Sequence, residues 1–158
     1  MTTLVHRFLA AHNARDVEAV LDCFTDDVDY RDIFFGDFCG RDALRGMFER
    51  TFVESSEHRW TLTRTVQTPD AVVAEWEFDY TVADSVPSGG GTRLRLPGVS
   101  WLELRGGRCF RYREFFDRAA TLHAQGIPPA KVAAIVARRS TVDILRPSTV
   151  PGSVMLGS

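Results

Sequence analysis

Residues 75–80 read EWEFDY, in which three carboxylates alternate with three aromatic rings. In an extended strand neighbouring side chains point to opposite faces, so Glu75, Glu77 and Asp79 share one face and the rings share the other. Burial preferences favour a core that contains the rings. If the acids face inward instead, Glu77 and Asp79 lie about 6.6 Å apart. In an apolar cavity they would then resist joint ionisation and could serve as a general acid and a general base.

The histidines and cysteines give little support for metal or thiol chemistry. The three cysteines are an odd number without a CxxC pair, and the four histidines show neither HxH nor HExxH spacing. We therefore expect no metal site, no disulfide framework and no cofactor.

The bulk composition narrows the class of protein. A chain of 158 residues with 44% hydrophobic and 25% charged residues is typical of one globular domain. The net charge of −2 gives no electrostatic reason to expect nucleic acid or an anionic membrane as a partner. No apolar run approaches the roughly 18 residues that span a bilayer, and the N-terminal MTTLVHRFLAAHNARD lacks the features of a signal peptide. A cytoplasmic protein is expected.

The elements that must position the acids follow from the change in hydrophobic period along the chain. A period of 3.6 predicts helices in LVHRFLAAHNA, DVEAVLDCF and DALRGMFERTF, with VDYRD as a brief strand and FFGDFCG as a loop. From residue 57 a period of two predicts three or four long strands, HRWTLTRTVQT, AVVAEWEFDYTV, TRLRLPGVSWLEL and RCFRYREFFD. Helices RAATLHAQG and PPAKVAAIVARRS follow, and the tail after them is either disordered or an extended cover.

Helices followed by an antiparallel meander are typical of an α+β fold, in which helices pack on one face of a sheet. A strongly bent sheet leaves a cavity between itself and the helices, where a small apolar ligand can bind. We assign residues 1–126 to this domain and residues 127–158 to a C-terminal helix and extended tail.

The segments VHRFLAAHNARDVEAVLDCFTDDVDYRD, FCGRDAL and YREFFDRAATLHAQG, in this order, resemble the nuclear transport factor 2-like superfamily. Over about residues 4–125 the chain is most similar to the group with ketosteroid isomerase, SnoaL-type polyketide cyclases and limonene-epoxide hydrolase. The resemblance implies a cone-shaped barrel, or cystatin-like α+β roll, with a strongly curved mixed or antiparallel sheet wrapped around N-terminal helices. It also implies acids on the inward face, which reverses the orientation that burial preferences favour for EWEFDY.

Laid on ketosteroid isomerase, the resemblance places Asp32 at the proton-shuttling carboxylate. It places Phe8 at the tyrosine of the oxyanion hole, although a phenyl ring cannot donate a hydrogen bond. In SnoaL-type cyclases the general acid/base aspartate at the end of the last strand matches Asp117.

Laid on limonene-epoxide hydrolase, the resemblance places Tyr30 and Asp32 at the tyrosine and asparagine that hold the attacking water. Asp79 falls on the acid that protonates the epoxide, and Asp117 falls on the water-activating aspartate. Glu77 stands where that enzyme has the arginine that links the two aspartates, which is a reversal of charge.

The expected site is built on these positions. The expected catalytic residues are Asp32, Asp79 and Asp117, supported by Tyr30, Glu77 and Arg113. Either Arg113 or Arg64 is proposed as the cation for the acids. The pocket is expected to be lined by Phe8, His12, Phe34, Trp60 and Phe115.

The expected substrate is a hydrophobic small molecule of secondary metabolism, polyketide- or terpenoid-like, and the expected reaction is isomerisation or cyclisation of the SnoaL type. Epoxide hydrolysis and non-catalytic ligand binding stay open. With the acids inside, Trp76, Phe78 and Tyr80 would form an exposed aromatic stripe, so a homodimer through the sheet face is expected.

Overall fold

The computed structural model describes residues 3–140 and residue 142, so the predicted extended tail falls almost wholly outside the described residues. The elements are α1 Leu4–Asn13, α2 Val17–Leu21, β1 Phe24–Asp32, β2 Gly36–Cys39, α3 Arg41–Glu54, β3 Ser55–Gln67, β4 Ala71–Val82, β5 Arg93–Arg105, β6 Arg108–Phe115, α4 Arg118–Ala124 and α5 Pro129–Arg138. Every predicted helix and strand is present, and the predicted loop FFGDFCG contains the additional strand β2. Among the helices of these ranges, none has the length and apolar character needed to cross a membrane.

The six strands form one sheet in the order β2-β1-β6-β5-β4-β3. β1 and β6 are parallel, whereas the other neighbouring strands are antiparallel. Register shifts interrupt three of these pairings, and such irregularities bend a strand and increase its twist. The predicted α+β fold, a curved mixed sheet around N-terminal helices, is confirmed. The sheet stays open, because β2 and β3 lie at its two edges.

The core lies between the sheet and helices α1 and α3. Phe8 of α1 is 3% exposed, and its ring packs edge-on against Phe24, Phe48 and Trp60 with centroid distances of 5.5, 6.2 and 5.4 Å. Each such buried ring stabilises the fold by about 2 kcal/mol. Phe8, predicted to line the pocket, is therefore a core residue that joins α1 to the sheet.

Edge strand β3 is fixed to the end of α1 by a reciprocal pair of hydrogen bonds. The side-chain amide of Asn13 donates to the carbonyl of Trp60 at 2.8 Å, and its oxygen accepts from the Trp60 N–H at 2.7 Å. Both backbone groups of Trp60 are thus satisfied on the helix side, and its ring is held in a defined position.

Strand β4 turns its rings toward the core. Trp76 and Tyr80 are buried, and Phe78 is partly buried against the core cluster. The indoles of Trp76 and Trp60 meet edge to face with centroids 5.1 Å apart. These rings remove far more apolar surface from water than three carboxylates on the same face could, and this decides the orientation.

The acids of β4 lie on the outer face. Glu75 is exposed. Arg95 of β5 binds Asp79 through two hydrogen bonds of 2.7 and 2.8 Å and lies 3.6 Å from Glu77. The expectation that Glu77 and Asp79 face the cavity is therefore wrong. Arg95 neutralises these two acids on the outer surface, where water can still solvate all three side chains.

Gly98 of β5 provides the space for the indole of Trp76, its cross-strand neighbour. A Cβ atom at Gly98 would lie 2.3 Å from Cη2 of Trp76 and 2.5 Å from Cζ2. The absence of a side chain at this position allows the ring to lie flat over the strand.

Gly98→Ala should lower the free energy of unfolding by about 2 kcal/mol, because the buried indole must shift to admit the methyl group. Urea denaturation measures this change. The control is Gly46→Ala in α3, where no atom lies within 4 Å of the added Cβ and a helical alanine should stabilise by about 0.5–1 kcal/mol. Unchanged stability of Gly98→Ala would contradict the close packing described for Trp76.

Candidate active site

Two adjoining cavities lie between the sheet and the helices. The inner cavity, of about 70 Å³, is lined mainly by aromatic rings and by the carboxyl residues Asp32 and Glu114. The outer cavity, of about 430 Å³, is lined largely by α3, β4, α4 and α5. Both are lined by Phe34, Phe35, Thr51 and Phe78. The two cavities therefore adjoin at these four side chains.

The two acids come from the ends of neighbouring parallel strands. Residues 30–32 of β1 read YRD and residues 112–114 of β6 read YRE, and the tyrosines of the two triplets lie opposite each other in the register. Because side chains alternate, both tyrosines and both acids point inward. The tyrosine rings stack with centroids 4.2 Å apart and planes 7° apart, which fixes the strand ends that carry Asp32 and Glu114.

Asp32 is held in a tight turn after β1. Its Oδ1 accepts hydrogen bonds from the backbone N–H groups of Phe34 and Phe35, both at 2.7 Å. Burial raises the pKa of Asp32 to about 6, and the two backbone bonds limit the rise. At neutral pH this carboxyl is mostly ionised and still basic enough to accept a proton.

Glu114 is the more deeply buried acid, with 6% of its surface exposed. Its Oε1 accepts the Ile33 N–H at 3.0 Å and its Oε2 accepts the Tyr112 hydroxyl at 3.2 Å. Burial raises the pKa of Glu114 well above the ordinary value, and the charge of Asp32 raises it further. Of the two acids, Glu114 is therefore the one that keeps its proton to higher pH.

A directed chain of hydrogen bonds ends on Glu114. The indole N–H of Trp76 lies 2.8 Å from Ser100 Oγ, and Ser100 Oγ lies 2.6 Å from the Tyr112 hydroxyl. Tyr112 donates its single hydroxyl proton to Glu114, so it must accept from Ser100, which in turn accepts from the indole N–H of Trp76. The chain orients the carboxyl and stabilises the negative charge that appears when Glu114 gives up its proton.

The C-terminal helices close the site above Asp32. Arg118 of α4 donates to the Ile33 carbonyl at 3.2 Å and to the Arg139 carbonyl at 2.8 Å, while Arg139 donates to the Phe34 carbonyl at 2.9 Å. These bonds tie both helices to the turn between β1 and β2. Helix α5 thus forms a wall of the outer cavity, and the proposed domain division at residues 126 and 127 stays a prediction.

Five residues predicted for the site meet at the inner cavity: Tyr30, Asp32, His12, Phe34 and Trp60. Within the described ranges, no group of three or more His, Cys, Asp or Glu side chains is arranged to hold a metal ion. The carboxyl groups that line the inner cavity are those of Asp32 and Glu114.

The remaining predicted residues lie elsewhere, and the prediction for Asp117 needs the largest correction. Asp117 is exposed and caps α4, its Oδ1 accepting the Ala120 N–H at 2.8 Å. β6 ends at Phe115, so Asp117 lies beyond the part of the strand that faces the cavity. The acid that does face the cavity is Glu114, three residues earlier, which the sequence analysis missed.

The side chains of Arg113 and Phe115 both point to the outer face of β6. Arg113 donates to the carboxylate of Asp29 on the outer side of β1, and Phe115 is 61% exposed. The expectations that Arg113 compensates the cavity acids and that Phe115 lines the pocket are therefore wrong. The sequence does contain one indication that Glu114 faces the cavity. Its triplet YRE repeats the triplet YRD, whose aspartate was assigned to the site.

An open curved sheet around N-terminal helices is also the fold of solved proteins described as ketosteroid isomerase-like and as nuclear transport factor 2-like. A model of the SnoaL-like domain matches residues 5–112. The chain belongs to the SnoaL-like domain family.

Three solved structures with the same fold are similar to this chain at low sequence identity. A hypothetical protein of ketosteroid isomerase-like fold from Catenulispora acidiphila, in complex with trimethylamine, is 21% identical with a TM-score of 0.70, over 80% of this chain and 95% of that chain. A putative polyketide cyclase from Xanthomonas campestris is 21% identical with a TM-score of 0.65, over 77% and 93%. An epoxide hydrolase from M. tuberculosis, like limonene-epoxide hydrolase, is 19% identical with a TM-score of 0.63, over 86% and 94%. No curated protein matches the chain by sequence.

Glu114→Gln should make the stability less dependent on pH. A carboxyl with a raised folded-state pKa stabilises the fold fully below its ordinary pKa, 4.5 for glutamate, and this contribution is lost as the pH rises toward the folded value. Glutamine cannot ionise, so as the pH rises from about 5 to about 9 the variant should lose less free energy of unfolding than the wild type, by about 1.4 kcal/mol for each pH unit below the folded-state pKa of Glu114. Urea denaturation across this range measures the difference.

The matched control is Glu49→Gln on the exposed face of α3, which should follow the wild-type pH dependence. If Glu114→Gln and the wild type lose stability in parallel, Glu114 does not hold a proton at neutral pH.

Proposed function

We propose that this protein is a cofactor-free acid/base enzyme that isomerises or cyclises a hydrophobic carbonyl compound, polyketide- or terpenoid-like, in the inner cavity. The observation that carries the proposal is the pair of adjacent carboxyls in an apolar cavity, Asp32 with a pKa of about 6 and Glu114 with a pKa raised well above its ordinary value. Proton transfer at carbon needs one ready base and one acid that is still protonated at the same pH. Membership in the SnoaL-like domain family supports the same class of reaction.

In the proposed reaction Asp32 takes a proton from the carbon next to the substrate carbonyl. Glu114 donates its proton to the carbonyl oxygen, so an enol forms without the build-up of a full negative charge. In isomerisation, Asp32 returns its proton to a different carbon, while the enol hydroxyl returns its proton to Glu114. In cyclisation, the enol carbon attacks a second carbonyl of the same molecule, the proton on Asp32 passes to the new alkoxide, and the enol hydroxyl returns its proton to Glu114 as the first carbonyl re-forms. Both routes conserve all atoms and consume neither an oxidant nor a reductant.

The hydrogen bonds that run through Tyr112 to Glu114 and the aromatic walls of the cavity support this assignment. The hydroxyl of Tyr112 stabilises Glu114 at the moment when it is ionised. The rings of the inner cavity keep water from the enol, and the larger outer cavity has room for the part of the substrate that does not react. The cytoplasmic location and the role in secondary metabolism stay predictions.

Epoxide hydrolysis and simple ligand binding are the alternatives. Of the residues in the predicted hydrolase site, Tyr30 and Asp32 line the inner cavity, whereas Asp79, Asp117 and Glu77 do not. The pair of Asp32 and Glu114 could still activate water and protonate an epoxide. Oxygen-18 from labelled water would enter the product of a hydrolase and stay absent from the product of an isomerase.

Asp32→Asn should lower the rate of proton transfer at carbon by at least about 100-fold, because the general base is lost. A suitable probe is cyclohex-3-enone, whose conversion to the conjugated ketone is followed by ultraviolet absorbance. For the wild type the rate should rise with pH through about 6, where Asp32 ionises, and fall at higher pH as Glu114 loses its proton.

The matched control is Asp79→Asn, a carboxylate bound by Arg95 on the outer face, which should retain the wild-type rate. Equal loss of rate in both variants would point to a general charge effect. A wild-type protein that binds the ketone without isomerising it or exchanging its α-hydrogens in heavy water would favour a binding function.

We further propose that a second copy of the chain covers the outer face of the sheet. Val99, Trp101 and Phe115 are 36%, 48% and 61% exposed, and they are neighbours on β5 and β6, where Val99 pairs with Phe115. They take the place of the aromatic stripe expected from β4. Two copies related by a two-fold axis can bury such a patch against itself.

Trp101→Lys should convert a dimer into a monomer, because a charge would replace the largest ring of the patch. Light scattering at micromolar concentration measures the mass in solution. Val53→Lys in α3, at an equally apolar position that is 69% exposed, should leave the mass unchanged. A wild-type chain that is monomeric under these conditions would contradict the proposal.

A further inference from the structure

Arginine side chains dominate the charge of the outer cavity. Among the described residues that line this cavity, the charged ones are Arg50, Glu54, Arg118, Arg138 and Arg139. The lining therefore carries four positive charges and one negative charge, although the whole chain has a net charge of −2. Apolar side chains, among them Val82, Leu122 and Ile135, make up much of the remaining wall. Such a lining suits a ligand that has both an apolar body and an anionic group.

Most of this positive charge has no carboxylate beside it within the described residues. Of the four arginines, Arg50 is the one that pairs with an acid there, at 2.7 Å from Glu54. Arg118 and Arg139 donate to backbone carbonyls, which carry no net charge. One carboxylate can neutralise one guanidinium, so the outer cavity keeps an excess of positive charge.

Two of the guanidinium groups lie at the same place on the cavity wall. The guanidinium carbon of Arg50 lies 4.9 Å from the ring centroid of Phe35, and Nη1 of Arg139 donates to the carbonyl of Phe34 at 2.9 Å. Phe34 and Phe35 line both cavities. The side chain of Arg50 is 63% exposed, and Arg139 is an exposed residue. A ligand in the outer cavity can therefore approach both cations at the junction with the inner cavity.

The guanidinium of Arg139 has a defined position. Its bond to the Phe34 carbonyl holds it against the turn after β1, where a Cβ atom at Gly36 would lie 3.2 Å from Nη1 of Arg139. Arg118 fixes the backbone of the same residue by donating to the Arg139 carbonyl at 2.8 Å. A side chain that is already ordered loses less conformational entropy when it binds an anion.

The chemistry of the guanidinium group defines the group that it binds. A guanidinium presents several N–H donors in one plane, and this arrangement matches the two oxygens of a carboxylate. A neutral oxygen would accept the same hydrogen bonds without the gain from opposite charges. The ligand group that fits the junction best is therefore a carboxylate.

We propose that the outer cavity binds a carboxylate of the substrate, held by Arg50 and Arg139. This inference rests on the proposed function, because it assigns a second group of the molecule whose carbonyl reacts in the inner cavity. The substrate class is then a hydrophobic keto acid, with its carbonyl at Asp32 and Glu114 and its carboxylate at the junction of the cavities. A fixed carboxylate limits which carbon atoms can lie beside Asp32 and so selects the position of proton transfer.

The test compares two rigid probes of nearly the same shape, 2-naphthoate and 2-naphthamide, of which only naphthoate is charged at pH 7. Isothermal titration calorimetry measures both affinities. The wild type should bind naphthoate at least about tenfold more tightly, the effect of one charge-assisted hydrogen bond. The preference should shrink as the salt concentration rises, because ions screen charges that are exposed to water.

Arg50→Gln and Arg139→Gln should each weaken the binding of naphthoate several-fold and leave the binding of naphthamide unchanged. The matched control is Arg64→Gln on β3, which removes the same charge and should keep the preference. Arg64 lies 4.0 Å from Glu75 and lines neither cavity.

Glu54→Gln tests the proposal with the opposite sign. It removes the carboxylate that competes for Arg50, so this variant should bind naphthoate more tightly than the wild type. Weaker binding of naphthoate by Glu54→Gln would place the anion away from Arg50 and contradict the proposal.

The proposal is overturned if the two probes bind equally, if neither binds, or if Arg64→Gln lowers the preference as much as Arg50→Gln. It is also overturned if the preference disappears in Asp32→Asn, because the acid pair would then hold the naphthoate. Calorimetry records binding alone, so the result stands whether or not the protein isomerises cyclohex-3-enone. Arg50 pairs with Glu54 on the exposed side of α3, so Arg50→Gln decides the question if Arg139→Gln fails to fold.

Discussion

The parallel pairing of β1 with β6 is the constraint on which the site depends. It sets the YRD triplet of residues 30–32 beside the YRE triplet of residues 112–114. The tyrosines stack and the two acids come together on the concave face. A slip of one residue in either strand would turn its acid to the outer face and leave the other acid alone in an apolar cavity. The register therefore fixes both the stability of this region and the existence of a carboxyl pair.

The rings of β4 then determine the protonation of that pair. Trp76 covers Gly98, lines the inner cavity and starts the hydrogen-bond chain that ends on Glu114. Because aromatic surface replaces water around the acids, the pKa of Glu114 rises well above its ordinary value and that of Asp32 rises to about 6. The aromatic side chains of residues 75–80 thus form the apolar surroundings of the carboxyl pair. Of the acids in the same stretch, Glu77 and Asp79 contact Arg95 on the outer surface.

Hydrophobic periodicity was sufficient to predict the helices, the long strands and the class of fold, because burial of one face dominates each of these elements. The same periodicity does not show which face of a strand is buried when the side chains of either face could line a core or a cavity. For EWEFDY, burial preferences pointed to the correct orientation, and the resemblance to epoxide hydrolases reversed it. The resemblance also pointed to Asp32, which does line the inner cavity and whose position at the end of β1 needs no choice of register on a second strand.

Glu114 was missed because its role depends on where β6 ends and on which strand lies beside it. The sequence YREFFD contains two acids, Glu114 and Asp117, which would point to opposite faces of a continuous strand. Asp117 also suits a helix cap. Only the pairing with β1 distinguishes them. The short strand β2 was missed for a related reason, since its four residues are stabilised by pairing with β1 and not by a hydrophobic face of their own.

The central claim is that Glu114 is protonated at neutral pH beside an ionised Asp32. Carbon-13 NMR of protein labelled at the glutamate side-chain carboxyl carbon tests it directly, with Glu114→Gln to assign the signal. The structure predicts a Glu114 signal at the position of a neutral carboxyl at pH 7, which moves to the ionised position only at higher pH. A Glu114 signal that titrates near the ordinary glutamate pKa of 4.5 and is fully ionised at pH 7 would contradict the account.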